Sequence, residues 1–398
     1  MRKNELKFRV AWALIAGCFA SFSLGWAAPV TINLMEEKVV AQDNNALYML
    51  IGAYTSADTP QGIFVYKFDQ ETGVAEFVSD AIAQNPSYLA VSADERFVYA
   101  AGENNNDAAV AYAFAFDKNT GQLTMLNSQQ TNGSSPCYIN VDLDNRFVIT
   151  ANYSGGNVSV FPLQHDGSLQ PATKVFEFDF EGSGPVANRQ NKPYLHSVVF
   201  SPDQQFLFAA DLGGDRIHKF ATSNTPPFLI SGTPQSFRVE PGSGPRHLTF
   251  HPNGKYAYLI NELSGKVTVF NYAAGNLEPV QYITADPGDG NKGSADIHIS
   301  PDGKFLYASN RANTNNIAIF SINEVDGRLS SVGFQATARH PRNFIITPNG
   351  KYLLVANMNS NSIQVFERDN NTGLLQENES RIITGINRPV CIKWVGMN

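Results

Sequence analysis

The chain carries the phrase Pro245-Arg-His-Leu-Thr-Phe-His-Pro-Asn-Gly-Lys-Tyr-Ala-Tyr-Leu-Ile-Asn261 and repeats it twice, as Ser294-Ala-Asp-Ile-His-Ile-Ser-Pro-Asp-Gly-Lys-Phe-Leu-Tyr-Ala-Ser-Asn310 and Pro341-Arg-Asn-Phe-Ile-Ile-Thr-Pro-Asn-Gly-Lys-Tyr-Leu-Leu-Val-Ala-Asn357. Each copy reads as a short strand, a tight turn around Asn-Gly or Asp-Gly, and a second strand that is almost continuously apolar. Successive copies lie about fifty residues apart, a period typical of β-propellers with one four-stranded blade per repeat.

Looser copies of the phrase set the number of blades. Three of them begin at Pro86, Pro136 and Leu195. A half copy begins at Pro389 and stops after its first strand, while segments with second- and third-strand patterns begin at Tyr48 and Ile63. We therefore predict an all-β fold, a seven-bladed β-propeller over residues 46–398 that closes by pairing its N- and C-terminal strands and leaves no open sheet edge.

The repeat also predicts which side chains meet at one end of the central channel. The residue ten before the aromatic that opens the second strand starts the inner strand, and the residue six after that aromatic begins the next loop. Both positions lie opposite the Asn-Gly and Asp-Gly turns. Charged side chains at or next to these positions depart from the repeat: His196, Arg246, His247, Glu262, Arg311 and Arg342. Their convergence in an acidic protein predicts a small-molecule site.

Structural interpretations of the same residues stay open. Two arginines aimed at one channel, Arg246 and Arg311, repel each other unless an anionic ligand lies between them or carboxylates such as Glu262 or Asp211 pair with them. His196 is either a proton-transfer group or a structural histidine. The sequence has no zinc-type histidine spacing, no serine elbow and no phosphate-binding glycine loop, so we expect no metal and no cofactor.

The first residues of the chain read as a signal peptide. Four basic residues precede an apolar run from Val10 to Leu24, and small residues follow before Pro29. We predict a signal peptide over 1–28, an N-terminal extension over 29–45, and export to the periplasm. Two alternatives stay open: a lipoprotein anchored through Cys18, and a cytoplasmic protein if the segment is not a functional signal.

Composition and charge exclude some classes of binding partner. The 398 residues carry a formal net charge of −7, which becomes about −10 without residues 1–28, and an acidic body argues against nucleic acid. No segment beyond the signal is apolar enough to span a membrane. Cys137 and Cys391 belong to repeats that a whole blade separates, which argues against a disulfide. We expect a monomer whose partner is a small, anionic molecule.

Six motifs follow one another between residues 194 and 344: Tyr194-Leu-His196-Ser-Val, Asp211-Leu-Gly-Gly-Asp215-Arg-Ile, Gly242-Ser-Gly-Pro-Arg-His247, Asn261-Glu-Leu263, Ser309-Asn-Arg311 and His340-Pro-Arg-Asn-Phe344. In this order they resemble the seven-bladed propeller lactonase family, which includes propeller-type 6-phosphogluconolactonases and carboxymuconate lactonising enzymes. The resemblance implies activity on a lactone, with His196, Arg246, Glu262 and Arg311 as the site.

Our first hypothesis is a lactonase that hydrolyses a sugar lactone, similar to 6-phosphogluconolactonase, in carbohydrate metabolism. Glu262 or His196 activates water, and Arg246 stabilises the developing oxyanion. Arg311 and Arg342 hold an anionic substituent, and His247 and Asp211 add substrate contacts. A lactonising cycloisomerase and a non-catalytic propeller that binds a ligand or a protein remain as alternatives.

Overall fold

The structure is a computed structural model that describes residues 45–179, 184–290 and 292–397. Within these ranges it contains twenty-nine β-strands and three short 3-10 turns, Asn106–Ala108, Met358–Ser360 and Glu379–Arg381. The predicted signal peptide (1–28) and all but the last residue of the predicted extension (29–45) lie outside the described residues.

The strands form seven antiparallel sheets, which we number as blades and give from the innermost strand outwards. Blade 1 consists of β29 (Pro389–Gly396), β1 (Ala46–Ala53), β2 (Gln61–Asp69) and β3 (Ala75–Ile82). Blade 2 consists of β4 (Pro86–Val91), β5 (Phe97–Gly102), β6 (Val110–Asp117) and β7 (Gln122–Gln130). Blade 3 consists of β8 (Pro136–Val141), β9 (Phe147–Asn152), β10 (Asn157–Pro162) and β11 (Lys174–Glu177). Blade 4 consists of β12 (Leu195–Phe200), β13 (Phe206–Asp211), β14 (Arg216–Thr222) and β15 (Leu229–Arg238).

The last three blades follow the same order. Blade 5 consists of β16 (Pro245–Phe250), β17 (Tyr256–Asn261), β18 (Lys266–Ala273) and β19 (Asn276–Thr284). Blade 6 consists of β20 (Ser294–Ile299), β21 (Phe305–Asn310), β22 (Asn316–Ile322) and β23 (Leu329–Ala336). Blade 7 consists of β24 (Pro341–Ile346), β25 (Tyr352–Asn357), β26 (Ser362–Arg368) and β27 (Leu375–Glu377), with the short β28 (Ile383–Thr384) also paired to β26.

Blade 1 joins the two ends of the described chain. β29 pairs antiparallel with β1, which places Met49 opposite Trp394 and Ile51 opposite Ile392. The innermost strands of neighbouring blades contact one another all the way round, from β29 through β4 to β24 and back to β29. The predicted seven-bladed propeller, closed by its terminal strands, is confirmed.

Neighbouring blades are held together by an aromatic ring that packs on a glycine. Tyr256, which opens the second strand of blade 5, lies against Gly327 in the turn between the third and fourth strands of blade 6. A β-carbon on Gly327 would stand 2.5 Å from that ring, and the φ of Gly327 is +69°. The same pairing recurs at five further interfaces: Tyr48 on Gly121, Phe97 on Gly167, Phe206 on Gly275, Phe305 on Gly373 and Tyr352 on Gly73.

The interface between blades 3 and 4 uses a variant of this contact. Phe228 takes the place of the glycine with a φ of +65°, and its ring stacks on Phe147 with centroids 4.6 Å apart. The aromatic residue that marks the sequence repeat is therefore the residue that packs against the next blade.

A second repeated feature is a β-bulge at the start of each innermost strand. In β16 the pairing with β17 passes from Pro245 directly to His247, which leaves Arg246 outside the ladder. Ser87, Cys137, His196, Arg342 and, in blade 1, Val390 are passed over in the same way, and in blade 6 the skip covers Ala295 and Asp296. A bulge turns its extra residue away from the ladder, and all seven blades place such a residue at the same end of the channel.

The glycine contact between blades can be tested with a matched pair of substitutions. Gly327→Ala combines a positive φ with a clash against Tyr256, so we expect a loss of about 2–4 kcal/mol in the free energy of unfolding. Gly254 has the same φ of +69° but nothing within 4 Å of an added β-carbon, so Gly254→Ala should lose only about 1 kcal/mol. Denaturant unfolding of both variants measures the difference, and equal losses would contradict the packing role.

Candidate active site

Two sets of loop positions bring charged side chains to one end of the channel. His196, Arg246 and Arg342 are the bulge residues of β12, β16 and β24. Glu262 and Arg311 come directly after β17 and β21, at the end where the innermost strands begin. Four of these predicted residues, His196, Arg246, Glu262 and Arg311, form one cluster, with Arg342 in the adjoining ion pair.

The carboxylate of Glu262 is the centre of the cluster. Its Oε2 accepts hydrogen bonds from Nε of Arg246 at 3.0 Å and from Nη2 of Arg311 at 2.8 Å, and its Oε1 accepts one from Nη2 of Arg189 at 2.6 Å. Nε2 of His196 lies 3.8 Å from Oε2. The Glu262 side chain is only 6% exposed, so one buried anion holds three guanidinium groups.

This arrangement sets the ionisation of the cluster. Burial alone would raise the pKa of Glu262, but Arg311, Arg246 and Arg189 together hold it at about 2. Burial and then the charge of Arg246 lower the pKa of His196 well below its ordinary value. At neutral pH the site therefore contains an ionised carboxylate and a neutral imidazole.

A second ion pair lies beside the first. Arg342 donates from Nη2 to Oε2 of Glu103 at 3.2 Å, and the Tyr54 hydroxyl donates to the same oxygen at 2.6 Å. The guanidinium carbons of Arg342 and Arg388 lie 5.6 Å and 4.8 Å from the centre of the Tyr54 ring. Tyr54 thus contacts two cations, of which Arg342 is paired with a carboxylate.

An open cavity of about 560 Å³ occupies this end of the channel. Its lining contains five cationic side chains and one carboxylate: Arg189, Lys292, Arg311, Arg342 and Arg388, and Glu262. Lys292 donates to the backbone oxygen of Asp286, and Arg388 donates to Sδ of Met358. Neither has a carboxylate partner among the described residues. The cavity is a positively charged pocket in an acidic protein, suited to an anion.

A third loop position contributes to the same cavity and was missed in the sequence. His340 and Arg388 directly precede the prolines that open β24 and β29, and both have a left-handed backbone, with φ of +63° and +46°. Non-glycine residues adopt this conformation at a cost of about 1–2 kcal/mol and cluster at functional sites. Burial and then the charge of Arg311 lower the pKa of His340 to about 3.

Two predicted substrate contacts lie elsewhere. His247 is on the paired ladder rather than on the bulge, so its ring points away from this mouth and lines a second cavity, of about 390 Å³, on the hairpin side. Asp211 accepts hydrogen bonds from the backbone N–H groups of Tyr194 and Gly214 and contacts Nε2 of His218 at 3.3 Å. It shapes a turn and does not line the mouth cavity.

The cysteines and possible metal ligands complete the inventory of reactive groups. Cys137 and Cys391 are free and buried, and burial raises the pKa of the Cys137 thiol although its Sγ lies 3.6 Å from Nδ1 of His196. A thiol in that state is a poor nucleophile.

Across the described ranges no group of three or more His, Cys, Asp or Glu side chains is placed to hold a metal ion. No helix in that part of the chain is long and apolar enough to cross a membrane.

The fold and the cluster together define a class of protein. A family model for the seven-bladed β-propeller lactonases matches residues 48–394, which covers every blade. The chain belongs to this lactonase family.

Individual relatives agree in fold and length. A 6-phosphogluconolactonase of Formosa agariphila is 41% identical over 337 residues, which cover 83% of this chain and 94% of that protein. A solved Bacteroides fragilis structure, described as a candidate 6-phosphogluconolactonase, is 50% identical with a TM-score of 0.85 and covers 89% of this chain and 99% of its own. The periplasmic gluconolactonase of Pseudomonas aeruginosa is 33% identical with a TM-score of 0.82 over 89% of this chain and all of its own.

Proposed function

We propose that this protein hydrolyses a sugar lactone that carries an anionic group, with gluconolactone 6-phosphate as the first substrate to test. Membership of the lactonase family and the names of its relatives support the reaction class. The excess of cations over carboxylates in the mouth cavity supports the anionic substituent. The observation that carries the proposal is the buried Glu262 carboxylate, held among guanidinium groups at the floor of that cavity.

Glu262 is the proposed general base. Each carboxylate oxygen can accept two hydrogen bonds, and Oε1 receives only the one from Arg189 among the described residues. Its free lone pair can accept a proton from a water molecule in the cavity while the water oxygen attacks the lactone carbonyl carbon. His196 lies behind the carboxylate, away from the cavity lining, and in this proposal it supports Glu262 as a neutral neighbour.

Arg246 is the proposed oxyanion donor. Its Nε is bound to Glu262, and its Nη1 faces His247 and the backbone oxygen of Ala295. No hydrogen bond joins Nη2 to an acceptor in the described ranges. The side chain is only 1% exposed and, like His196, is absent from the cavity lining, so the proposal requires the lactone carbonyl to enter the cluster beside Glu262. A donor that is fixed on its other sides and free on this one is suited to a carbonyl oxygen that gains charge as water adds. Collapse of the tetrahedral intermediate then breaks the ring C–O bond, and the proton from water passes to the leaving alkoxide.

The anionic substituent is assigned to three other cationic side chains that line the cavity, Arg342, Arg388 and Lys292. The latter two lack a carboxylate partner in the described part of the chain. A phosphate or carboxylate would supply the missing counter-charge, because guanidinium groups bind both in a bidentate way. The substrate would thus present its carbonyl to Arg246 and its anion to these cations.

Turnover by the purified mature protein tests the proposal. We expect hydrolysis of gluconolactone and of its 6-phosphate, with a lower KM for the phosphate because the cationic side chains of the cavity attract it.

Arg246→Ala should raise the activation free energy by about 2–4 kcal/mol, which lowers kcat/KM roughly 30- to 1000-fold. Arg328, which is half exposed and has Asp326 as its ion-pair partner among the described residues, provides the control, and Arg328→Ala should keep full activity.

The alternatives of the sequence analysis are decided in the same assay. Cyclisation of a carboxymuconate without lactone hydrolysis would favour a lactonising cycloisomerase. Full activity of both Arg246→Ala and Glu262→Gln would reject the mechanism, and an absence of turnover on every substrate would leave a binding propeller.

The pH dependence of kcat/KM follows from the lowered pKa values of the site residues. The pKa of Glu262 is about 2 and that of His340 about 3, and the pKa of His196 lies well below its ordinary value. A base whose pKa is lowered stays deprotonated until the pH falls to that pKa, so activity should be lost only in strong acid. We expect kcat/KM for uncharged gluconolactone, corrected for spontaneous hydrolysis, to be flat between about pH 5 and pH 7.5. An acid limb with a midpoint near the ordinary histidine pKa would identify a histidine as the base.

We also propose export to the periplasm, with the mature protein beginning near Ala28. The proposal rests on the basic start, the apolar run and the small residues of segment 1–28, and on the periplasmic gluconolactonase among the solved relatives. N-terminal sequencing of protein recovered from its native host should find the cleaved end in the periplasmic fraction. An intact Met1 on soluble cytoplasmic protein would reject export, and lipid on Cys18 would identify a lipoprotein.

A further inference from the structure

Arg246 contacts a hydrogen-bonded pair of residues, His247 and Asp296, that do not line the mouth cavity. Its Nη1 lies 3.3 Å from Nε2 of His247, and Nδ1 of His247 lies 2.8 Å from Oδ1 of Asp296. His247 and Asp296 are both buried, and both line the second cavity on the hairpin side. The three groups form a continuous hydrogen-bonded line from the channel interior to the proposed oxyanion donor.

The surroundings of Asp296 fix it as a carboxylate. Its Oδ2 faces Nε2 of His298 at 3.0 Å and accepts from Nδ2 of Asn343 and the backbone N–H of Phe344, while its Oδ1 accepts from the N–H of Ile297. Burial alone would raise the pKa of Asp296, but His298 and His247 hold it well below its ordinary value. All neighbours of the Asp296 carboxylate within hydrogen-bond distance can donate, so this carboxylate acts as an acceptor only.

An acceptor at Nδ1 determines the tautomer of His247. The imidazole must carry its proton on Nδ1, so Nε2 presents a lone pair. That lone pair faces Nη1 of Arg246, which can only donate. Burial and the charge of Arg246 lower the pKa of His247 to about 3, in agreement with a neutral ring that accepts from Arg246.

Aromatic walls fix the plane of the same ring. The Tyr138 and Tyr88 rings meet His247 edge to face, with centroids 5.2 Å and 5.8 Å away. The two tyrosines stack on each other at 3.9 Å, and Nζ of Lys393 lies 4.5 Å from the centre of the Tyr88 ring. His247 therefore has little freedom to turn its acceptor away from Arg246.

Three contacts then determine the orientation of the Arg246 guanidinium. Nε is bound to Glu262, and Nη1 is bound to both His247 and the backbone oxygen of Ala295. Because a guanidinium is planar, fixing these two nitrogens also fixes the direction of Nη2. We propose that Asp296 and His247 are positioning residues that aim Nη2 of Arg246 at the substrate carbonyl. This inference rests on the proposed lactone hydrolysis for its kinetic consequence, but its geometric content can be tested without it.

A double-mutant cycle tests the proposal. His247→Phe keeps an aromatic ring against Tyr88 and Tyr138 but removes the acceptor, and should lower kcat about 10- to 100-fold with little change in KM. His247→Gln, which retains an acceptor and a donor, should recover most of that loss. In an Arg246→Ala background, His247→Phe should have no further effect, because its influence passes through Arg246. His251→Phe is the matched control, since His251 lines the same cavity and bonds to the backbone oxygen of Gly303, and it should leave kcat unchanged.

A spectroscopic readout separates this inference from the proposed function. His247 holds the Nη1–H of Arg246, whereas the Nε–H is bound to Glu262. ¹⁵N NMR should therefore show a protected Nη1–H signal of Arg246 in the parent and in His251→Phe, and lose it in His247→Phe, while the Nε–H signal is kept. If His247→Phe does not fold, His247→Asn serves instead, because it still reaches Asp296 but not Arg246. A protected Nη1–H signal in the folded variant, or equal kinetic losses with and without Arg246, would overturn the positioning role. An inactive parent would overturn the hydrolysis and leave the NMR result to decide the positioning.

Discussion

The buried carboxylate of Glu262 is the interaction on which the site depends. Three guanidinium groups that would otherwise repel one another lie within hydrogen-bond distance of it. Removing one partner of such a buried pair typically costs about 3–5 kcal/mol, because the remaining charges lose their compensation. The carboxylate thus assembles the cations, and in the proposed mechanism it also accepts a proton from water. Its low pKa is the consequence of these ion pairs and limits its strength as a base in that mechanism.

The blade repeat supplies the geometry for this concentration of charge. A bulge at the start of the innermost strand sets at least one residue per blade outside the ladder, and in blades 4, 5 and 7 that residue is His196, Arg246 or Arg342. The residue before the strand adds His340 and Arg388 through a left-handed backbone. Backbone irregularities repeated around an axis thus place different side chains in equivalent positions, and the chemistry follows from which residue each blade carries there.

Much of this could be predicted from the sequence, because a repeat makes positions comparable. The marker aromatics gave the blade count and the closure, and the offsets from them gave the cluster of His196, Arg246, Glu262 and Arg311.

The rest depended on features that a repeat does not encode. Arg189 lies in the long connection between blades 3 and 4, which has no counterpart in the other blades, so no offset could place it. His247 was expected at the mouth because it adjoins Arg246, but a bulge sends consecutive residues in different directions. Asp211 occupies an equivalent position to the asparagines of other blades, and its carboxylate is used by the backbone of its own turn. These outcomes depend on three-dimensional contacts that the repeat does not specify.

The aromatic-on-glycine contact has a consequence for the topology of the chain. The interfaces on either side of blade 1, Tyr352 on Gly73 and Tyr48 on Gly121, use the same contact as those formed within the continuous chain. The seam where the termini meet is therefore no weaker in kind than any other junction of the ring. The position of the termini changes the order of the strands along the chain but not the contacts between blades. A circularly permuted chain opened between two other blades would form the same aromatic-on-glycine contacts.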